Sequence, residues 1–260
     1  MERADRAAAV KFFSPDPFAA NTSLNLGDDA AQHARVLRLG SGSPVELRDG
    51  HGHAARGILA RIAKRSVTVD IAEVWQIADL PPVHLLVPVA DRDHMLYLAE
   101  KCTELGVTSW RPVMWRRSRS VGPSGDGPAF QSRLKGRMIA ALTQSGGGWL
   151  PEIHPSAPVA RALAAVPGGS KILLDGAAEM SLIRTALTAP VTIALGPEGG
   201  LDDKERQEMI DGGFQPASMI GGTLRFETAG IAALAIARSL LGASPGGRHE
   251  TQDHSAEEQE

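Results

Sequence analysis

The stretch LGPEGGLDDKE, residues 195–205, says more about the fold than any other short segment of this chain. It follows an apolar run from Val191 to Leu195, which is typical of a buried strand, and it precedes a segment whose pattern predicts a helix. A simple turn needs fewer glycines than the three found here. Glycine lets the backbone approach a ligand closely, and ligands of open α/β sheets lie at the carboxyl ends of strands. The stretch therefore predicts a ligand-binding loop at the edge of a parallel sheet.

On both sides of this loop, short apolar strands alternate with amphipathic helices. The predicted strands are residues 83–89, 108–114, 171–174, 191–195 and 215–220. The predicted helices are residues 93–105, capped by Asp91 or Asp93, 128–144, a short one after 180, 202–211 and 227–241. This alternation predicts an α/β domain with a parallel sheet that helices cover on both faces.

The first seventy-odd residues have a different pattern. Strands are predicted at 44–48, 55–63 and 66–74, with a helix within 28–39, and this spacing favours a small β-barrel. The pattern changes at Asp79-Leu80-Pro81-Pro82. The chain is therefore expected to form a β-barrel domain at 1–78 and an α/β domain at 79–245, followed by a disordered acidic tail at 246–260.

Composition narrows the class of protein. The chain has 260 residues, 43% of them hydrophobic, and a single cysteine, Cys102, which fits a reducing compartment and excludes an internal disulfide. No run is long and apolar enough to span a bilayer, so a cytoplasmic protein without a membrane partner is expected. Cys102 is interpreted as a packed thiol, and the histidines lack the partners of a metal site.

The net charge of −3 conceals a basic centre. Residues 111–140 contain seven basic side chains and one acidic side chain, whereas residues 250–260 contain five acids and no Lys or Arg. Phosphate groups respond to the local electrostatic potential. Residues 111–140 therefore form either an RNA-binding surface or a solvated helix face with a basic loop. Trp110 and Trp115 could stack on RNA bases, but core packing is the favoured interpretation.

A second glycine-rich loop, IGGTLRFETA at residues 220–229, again joins a predicted strand to a helix. Two such loops at neighbouring strand ends would form one pocket, although a helix cap with a local pair between Arg225 and Glu227 would explain LRFET alone. Neither loop matches the dinucleotide or phosphate-loop patterns. Glu198 in the first loop favours a neutral or cationic ligand.

These loops, in this order, identify a resemblance. The chain resembles the bacterial 16S rRNA uracil N3-methyltransferases of the SPOUT class over roughly residues 10–242. The matching segments are LGPEGGL at 195–201, LRFETA at 224–229, EKCTELGV at 100–107 and QHARVLR at 32–38. The resemblance implies an N-terminal PUA-like β-barrel that binds RNA and a C-terminal SPOUT α/β domain with a trefoil knot. It also implies S-adenosylmethionine as cofactor and a homodimer with the site at its interface.

The resemblance places functional roles on particular residues. The implied cofactor-binding residues are Leu174, Leu195, Gly196, Pro197, Glu198, Gly199, Gly200, Ile220, Gly221, Leu224, Thr228 and Ala229. The uracil imide nitrogen is a poor nucleophile until it loses its proton, so the site needs a base or a stabilising cation. Arg225 is the candidate cation, and Glu227 is the candidate for orienting Arg225 or accepting the proton. The candidate RNA-binding residues are Arg35, Arg38, Arg117, Arg119, Arg133, Arg137 and Gln144.

The substrate side departs from the family pattern in both predicted domains, and in the barrel Val10-Lys11 stands where the family has two arginines. Arg116 stands where the family has a glutamate, and Thr143 and Gly147 replace a glutamate and an arginine. The expected function is methyl transfer to N3 of a uridine in 16S rRNA of the small ribosomal subunit. Because of these departures, a SPOUT methyltransferase that acts on another RNA position stays open as an alternative. A ribosome-binding assembly factor that holds the cofactor without turnover is a further alternative.

Overall fold

The structure, a computed structural model, describes residues 9–118, 127–219 and 222–242. The predicted acidic tail at 246–260 lies outside these residues, as do the predicted site residues Arg119, Ile220 and Gly221.

The N-terminal part of the chain is a five-stranded sheet with one helix. Its elements are β1 (Val10–Phe13), β2 (Thr22–Leu26), α1 (Asp28–Val36), β3 (Pro44–Arg48), β4 (His53–Ile62) and β5 (Val67–Gln76). The strand order is β1-β3-β4-β5-β2, with β1 and β3 parallel and the other pairs antiparallel. Alternate residues of the strands, among them Val45, Leu47 and Val69, are fully buried and form the core of this part together with two alanines of α1.

The described residues from Val83 onward form the α/β part. Its elements are β6 (Val83–Pro88), α2 (Arg92–Glu104), β7 (Ser109–Met114), α3 (Pro128–Ser145), β8 (Glu152–Ile153), β9 (Ala157–Pro158), α4 (Val159–Ala164), β10 (Ser170–Leu174), a 3₁₀ turn (Leu182–Arg184), β11 (Val191–Ala194), α5 (Asp203–Asp211), β12 (Gln215–Ala217) and α6 (Phe226–Gly242). The sheet order is β12-β10-β11-β6-β7-β8, and β9 also pairs with β7. Every pairing is parallel.

Helices cover both faces of the parallel sheet, as the alternation of strands and helices predicts. Side chains of α2, α3 and α6 pack on one face around Leu85 and Trp110, and side chains of α4 and α5 pack on the other around Leu86 and Val113. Successive strand residues point to opposite faces, so β6, with two packed faces, consists of apolar residues almost throughout.

Two predicted helix caps are present. The Asp91 carboxylate accepts hydrogen bonds from the backbone N–H groups of Asp93 and His94 at the start of α2. At α5, Asp202 and Glu205 form a capping box, in which each side chain accepts from the other residue's N–H. Both caps fix the helix that follows a strand end, and so they fix the loops of the site.

Some elements differ from the sequence-based expectation. Helix α1 ends at Val36 rather than near Leu39, because Arg38 takes a left-handed conformation with φ of 54°. The predicted strand at 215–220 ends at Ala217. Strands β1 and β2 and helix α4 were not predicted, since they are short and, in β2, mostly polar and exposed. The implied trefoil knot and the predicted domain boundary remain predictions.

The two parts of the chain meet at the turn between β3 and β4. The Gly52 N–H donates to the Gly148 carbonyl at 2.9 Å, and the Leu150 N–H donates to the Gly50 carbonyl at 2.8 Å. The Trp149 indole lies against Gly52, and its Nε1–H donates to the carbonyl of Ile77 at 3.0 Å. The glycine-rich segment that departs from the family pattern therefore forms this junction.

Candidate active site

A cavity of about 720 Å³ lies at the carboxyl ends of β10 and β11, next to the start of α6. This volume is typical of a small-molecule site. The lining residues are Leu173, Leu174, Asp175, Gly176, Ala177, Leu195, Gly196, Pro197, Glu198, Gly200, Leu201, Arg206, Ala217, Met219, Gly222, Thr223, Leu224, Phe226 and Ala229. We call this space the cofactor cavity.

The walls of the cofactor cavity suit a nucleoside that carries a positive charge. A Cβ added at Gly176, Gly200 or Gly222 would meet no neighbouring side chain or backbone within 4 Å. The backbone at these three positions is therefore accessible to a ligand in the cavity. Apolar side chains form much of the remaining wall, and Glu198 supplies negative charge, while the Asp175 carboxylate pairs with Arg206 at 2.9 Å. The residues present therefore fit S-adenosylmethionine, whose sulfonium is a cation.

Most of the predicted cofactor-binding residues reach this cavity. Eight of them line it: Leu174, Leu195, Gly196, Pro197, Glu198, Gly200, Leu224 and Ala229. Gly199 lines a neighbouring cavity, Thr228 is exposed and lines neither cavity, and Ile220 and Gly221 lie outside the described residues. That these residues bind the cofactor remains a prediction.

The sequence reasoning missed the loop that follows β10. Asp175, Gly176 and Ala177 line the cofactor cavity, and so does Arg206 of α5. Burial raises the pKa of Asp175, but hydrogen bonds from the Ala177 N–H and the Arg206 guanidinium, both at 2.9 Å, lower it below its ordinary value overall. The position of Asp175 directly after a predicted strand was the signal that could have identified this residue.

A second cavity, of about 360 Å³, lies beside the first. Its lining residues are Val89, Ala90, Asp91, Arg117, Pro197, Glu198 and Gly199. Pro197 and Glu198 belong to both linings, so the LGPEGG loop borders both spaces. We call this space the second cavity.

Two arginines after β7 contact the glycine loop and the helix behind it. Arg117 Nη1 donates to the Gly199 carbonyl at 3.0 Å. Arg116 donates from its backbone N–H to the Glu205 carboxylate at 2.6 Å, and its guanidinium pairs with Asp202 at 2.9 Å. The Asp202 carboxylate raises the pKa of Arg116 through this hydrogen bond. Arg116, which replaces the family's glutamate, therefore supports the capping box of α5.

The structure separates the two predicted catalytic residues. Arg225 is exposed, whereas Glu227 in the first turn of α6 is only 7% exposed. No ion pair joins Arg225 to Glu227 among the described residues; instead, Glu227 Oε1 lies 3.7 Å from His94 Nδ1. Glu227 therefore lies next to α2, and that it orients Arg225 or accepts the proton remains a prediction.

The predicted RNA-binding residues within the described ranges lie in three places. Arg35 and Arg38 are exposed at and just after α1, while Arg133 and Gln144 are exposed along α3. Arg137, also on α3, pairs with Glu100 at 3.2 Å. Arg117 stands apart from both groups, at the second cavity.

The residues to which the sequence assigned a structural role are buried. Cys102 is fully buried, and burial raises the pKa of its thiol, so it is a packed side chain. Trp110 and Trp115 are 0% and 3% exposed, which confirms core packing. In the described ranges, no set of three or more His, Cys, Asp or Glu side chains is arranged to hold a metal ion. Within the same ranges, no helix is both long and apolar enough to cross a membrane.

Comparison with known proteins places the chain in a family. The family model for an RNA methyltransferase domain matches residues 78–238, and the model for an RNA methyltransferase PUA domain matches residues 26–72. The ribosomal RNA small subunit methyltransferase E of Synechocystis is 30% identical over 215 residues, which cover 80% of this chain and 69% of that protein.

Two solved structures share the fold. The ribosomal RNA small subunit methyltransferase E of Neisseria gonorrhoeae, bound to S-adenosyl methionine, has a TM-score of 0.82 and 25% identity, over 90% of this chain and 98% of that one. A methyltransferase of Legionella pneumophila with bound cofactor SAM has a TM-score of 0.83 and 24% identity, over 89% and 98% of the two chains. With its PUA domain and SPOUT methyltransferase domain, the chain belongs to the RNA methyltransferase family that its sequence resembles, that of the bacterial 16S rRNA uracil N3-methyltransferases.

Proposed function

We propose that this protein transfers a methyl group from S-adenosylmethionine to N3 of a uridine in 16S rRNA of the small ribosomal subunit. The observation that carries the proposal is the cofactor cavity, which bare glycine backbone and two carboxylates line at the carboxyl ends of β10 and β11. The names of the relatives from Synechocystis and Neisseria gonorrhoeae support the reaction and its substrate.

The backbone of the LGPEGG loop and of Gly222 would hold the methyl donor in the cofactor cavity. When bound, S-adenosylmethionine supplies a methyl group on a positively charged sulfur, ready for nucleophilic attack. Glu198 offers negative charge toward a sulfonium or an amino group of the donor, and Asp175, which pairs with Arg206, offers carboxylate oxygens as hydrogen-bond acceptors. Leu174, Leu195 and Phe226 supply apolar walls.

The acceptor nitrogen must lose its proton before or during the transfer. We propose that Glu198 accepts this proton, because Glu198 lines both cavities whereas Glu227 lines neither. Arg225 is exposed between two residues that line the cofactor cavity, Leu224 and Phe226, and its positive charge would stabilise the uracil anion from that side. Glu227, buried beside His94, has a positioning role at the start of α6.

The partner surface is part of the same proposal. Exposed arginines on α1 and α3 (Arg35, Arg38 and Arg133) would contact rRNA phosphates, and Gln144 would contact the RNA near the end of α3.

We further propose that the protein acts in the cytoplasm as a homodimer. Large apolar side chains that are exposed in the single chain, such as Tyr97 at 50% and Ile183 at 55%, are candidates for the dimer contact.

The decisive experiment is a methylation assay on small subunits from a strain that lacks this protein, read by nucleoside mass spectrometry. The proposal expects 3-methyluridine, which depends on S-adenosylmethionine and is lost in the Glu198→Gln protein. A different methylated nucleoside would move the target while keeping the chemistry. Absence of product with subunits that a characterised family member methylates would refute the proposed reaction, even if the protein binds the cofactor.

A further inference from the structure

The second cavity spans the carboxyl ends of three neighbouring strands. Val89, Ala90 and Asp91 follow β6, Arg117 follows β7, and the glycine loop follows β11. The sheet order places β11, β6 and β7 side by side, so these loops converge on one stretch of the sheet edge. Ligands of parallel sheets bind at this edge, yet the cofactor cavity uses only its other half, beside β10 and β11.

The two cavities stand in the relation that a transfer reaction needs. They share Pro197 and Glu198, so one loop forms a wall of each space. Transfer of a methyl group requires that acceptor and donor lie in contact and in line, which two adjoining cavities that share lining residues can provide. At about 360 Å³, the second cavity has room for a single nucleotide and not for a duplex.

The polar groups of the second cavity match the edge of a uracil base. That edge presents two carbonyl acceptors on either side of the N3–H donor. Arg117 carries five N–H donors, of which one donates to the Gly199 carbonyl at 3.0 Å. The Glu198 carboxylate supplies an acceptor, whereas the Asp91 carboxylate caps α2, and Val89, Ala90 and Pro197 supply apolar surface for the faces of the base.

We propose that the second cavity receives the target uracil and that Arg117 is a catalytic residue that donates to a carbonyl oxygen of the base. This inference rests on the proposed function. Deprotonation at N3 places negative charge on the two carbonyl oxygens, and a guanidinium held against the glycine loop stabilises that charge. Because only one nucleotide fits, the target uridine enters unpaired or turned out of its helix.

The test uses the full-length protein with small subunits that lack the modification. Ala90→Leu fills the second cavity, Arg117→Ala removes the guanidinium, and Arg117→Lys keeps the charge without the planar fork. Arg161→Ala on α4 is the matched control, since Arg161 is exposed and lines neither cavity. For each protein, circular dichroism reports folding, calorimetry reports the Kd for S-adenosylmethionine, and single-turnover assays report the methylation rate.

The proposal expects the cofactor Kd to stay unchanged in all variants. Arg117→Ala lowers the methylation rate by about 10²- to 10³-fold, as loss of one charge-stabilising donor does in other enzymes, and Arg117→Lys recovers part of it. Ala90→Leu abolishes methylation, and the control keeps the wild-type rate. Folded Ala90→Leu or Arg117→Ala proteins that methylate at the wild-type rate would overturn the proposal.

A second measurement does not depend on turnover. Small subunits with 4-thiouridine in their 16S rRNA are cross-linked to the protein, and the cross-linked peptides are identified by mass spectrometry. Cross-links to residues 89–91 or 197–199 that the Ala90→Leu variant loses support the pocket, even if no product forms and the proposed function fails. Cross-links confined to other segments overturn the pocket, even if the wild-type protein makes 3-methyluridine.

Discussion

Glycines build both the cofactor cavity and the domain junction, yet they do opposite things there. At the cofactor cavity, a Cβ on Gly176, Gly200 or Gly222 would meet nothing within 4 Å. At the junction, a Cβ on Gly52 would lie 2.7 Å from Cε2 of Trp149, and one on Gly148 would lie 2.7 Å from Cβ of Ile77. In the first region glycine leaves space for a ligand, and in the second it lets two parts of the chain pack closely.

The largest expected effect is at the junction. Gly52→Ala places a Cβ against the Trp149 ring at a residue whose φ is +89°, so overpacking and backbone strain add. We expect the free energy of unfolding to fall by about 2–4 kcal/mol. Urea unfolding followed by tryptophan fluorescence measures this change. Gly40→Ala, where the added Cβ meets nothing within 4 Å, is the control. An equal loss of unfolding free energy in both variants would show that close packing at the junction is not the cause.

In the cofactor cavity, a substitution of glycine is expected to weaken cofactor binding and to leave stability almost unchanged. Gly176→Leu directs a side chain toward space that the ligand would occupy, so S-adenosylmethionine affinity should fall about ten- to a hundredfold, while stability changes little. Isothermal titration calorimetry gives the Kd, and urea unfolding gives the stability. A folded Gly176→Leu protein with wild-type affinity would show that the cofactor does not occupy this part of the cavity.

A smaller loss of stability is expected when the hydrogen bond at the junction is removed. Trp149→Phe keeps an aromatic ring on Gly52 but removes the Nε1–H that donates to the Ile77 carbonyl. Because the indole is 42% exposed, water partly replaces this bond, and the expected loss of stability is about 0.5–1 kcal/mol. A loss as large as that of Gly52→Ala would mean that the hydrogen bond, and not the close packing, holds the two parts together.

The smallest effect is expected at a glycine that belongs to neither region. Gly136 lies inside α3, and a Cβ there would meet no other atom within 4 Å. Gly136→Ala should therefore stabilise the protein by about 0.5–1 kcal/mol, because alanine loses less backbone entropy in a helix. Thermal unfolding with and without S-adenosylmethionine checks both the gain and its independence from the cofactor. A loss of stability would indicate that α3 has a packed partner at Gly136 beyond the single chain.

These two regions also show how far sequence reasoning reaches. The LGPEGG loop and the helix caps at Asp91 and Asp202 could be predicted, because each depends on a few neighbouring residues and on the strand before them. The sequence places the segment 143–150 on the RNA side, and the structure shows in addition that its glycines and Trp149 make the domain junction. That contact joins residues nearly a hundred positions apart, and no local pattern reveals it.

The sequence by itself determined the alternation of strands and helices, the position of two glycine-rich loops and the family, because hydrophobic periodicity and backbone freedom are local properties. Only the tertiary structure decided that Glu227 faces His94 and that Arg116 supports Asp202. It also placed Arg117 at a second cavity. These arrangements depend on which side chains the sheet order brings together, and sheet order results from packing over the whole domain.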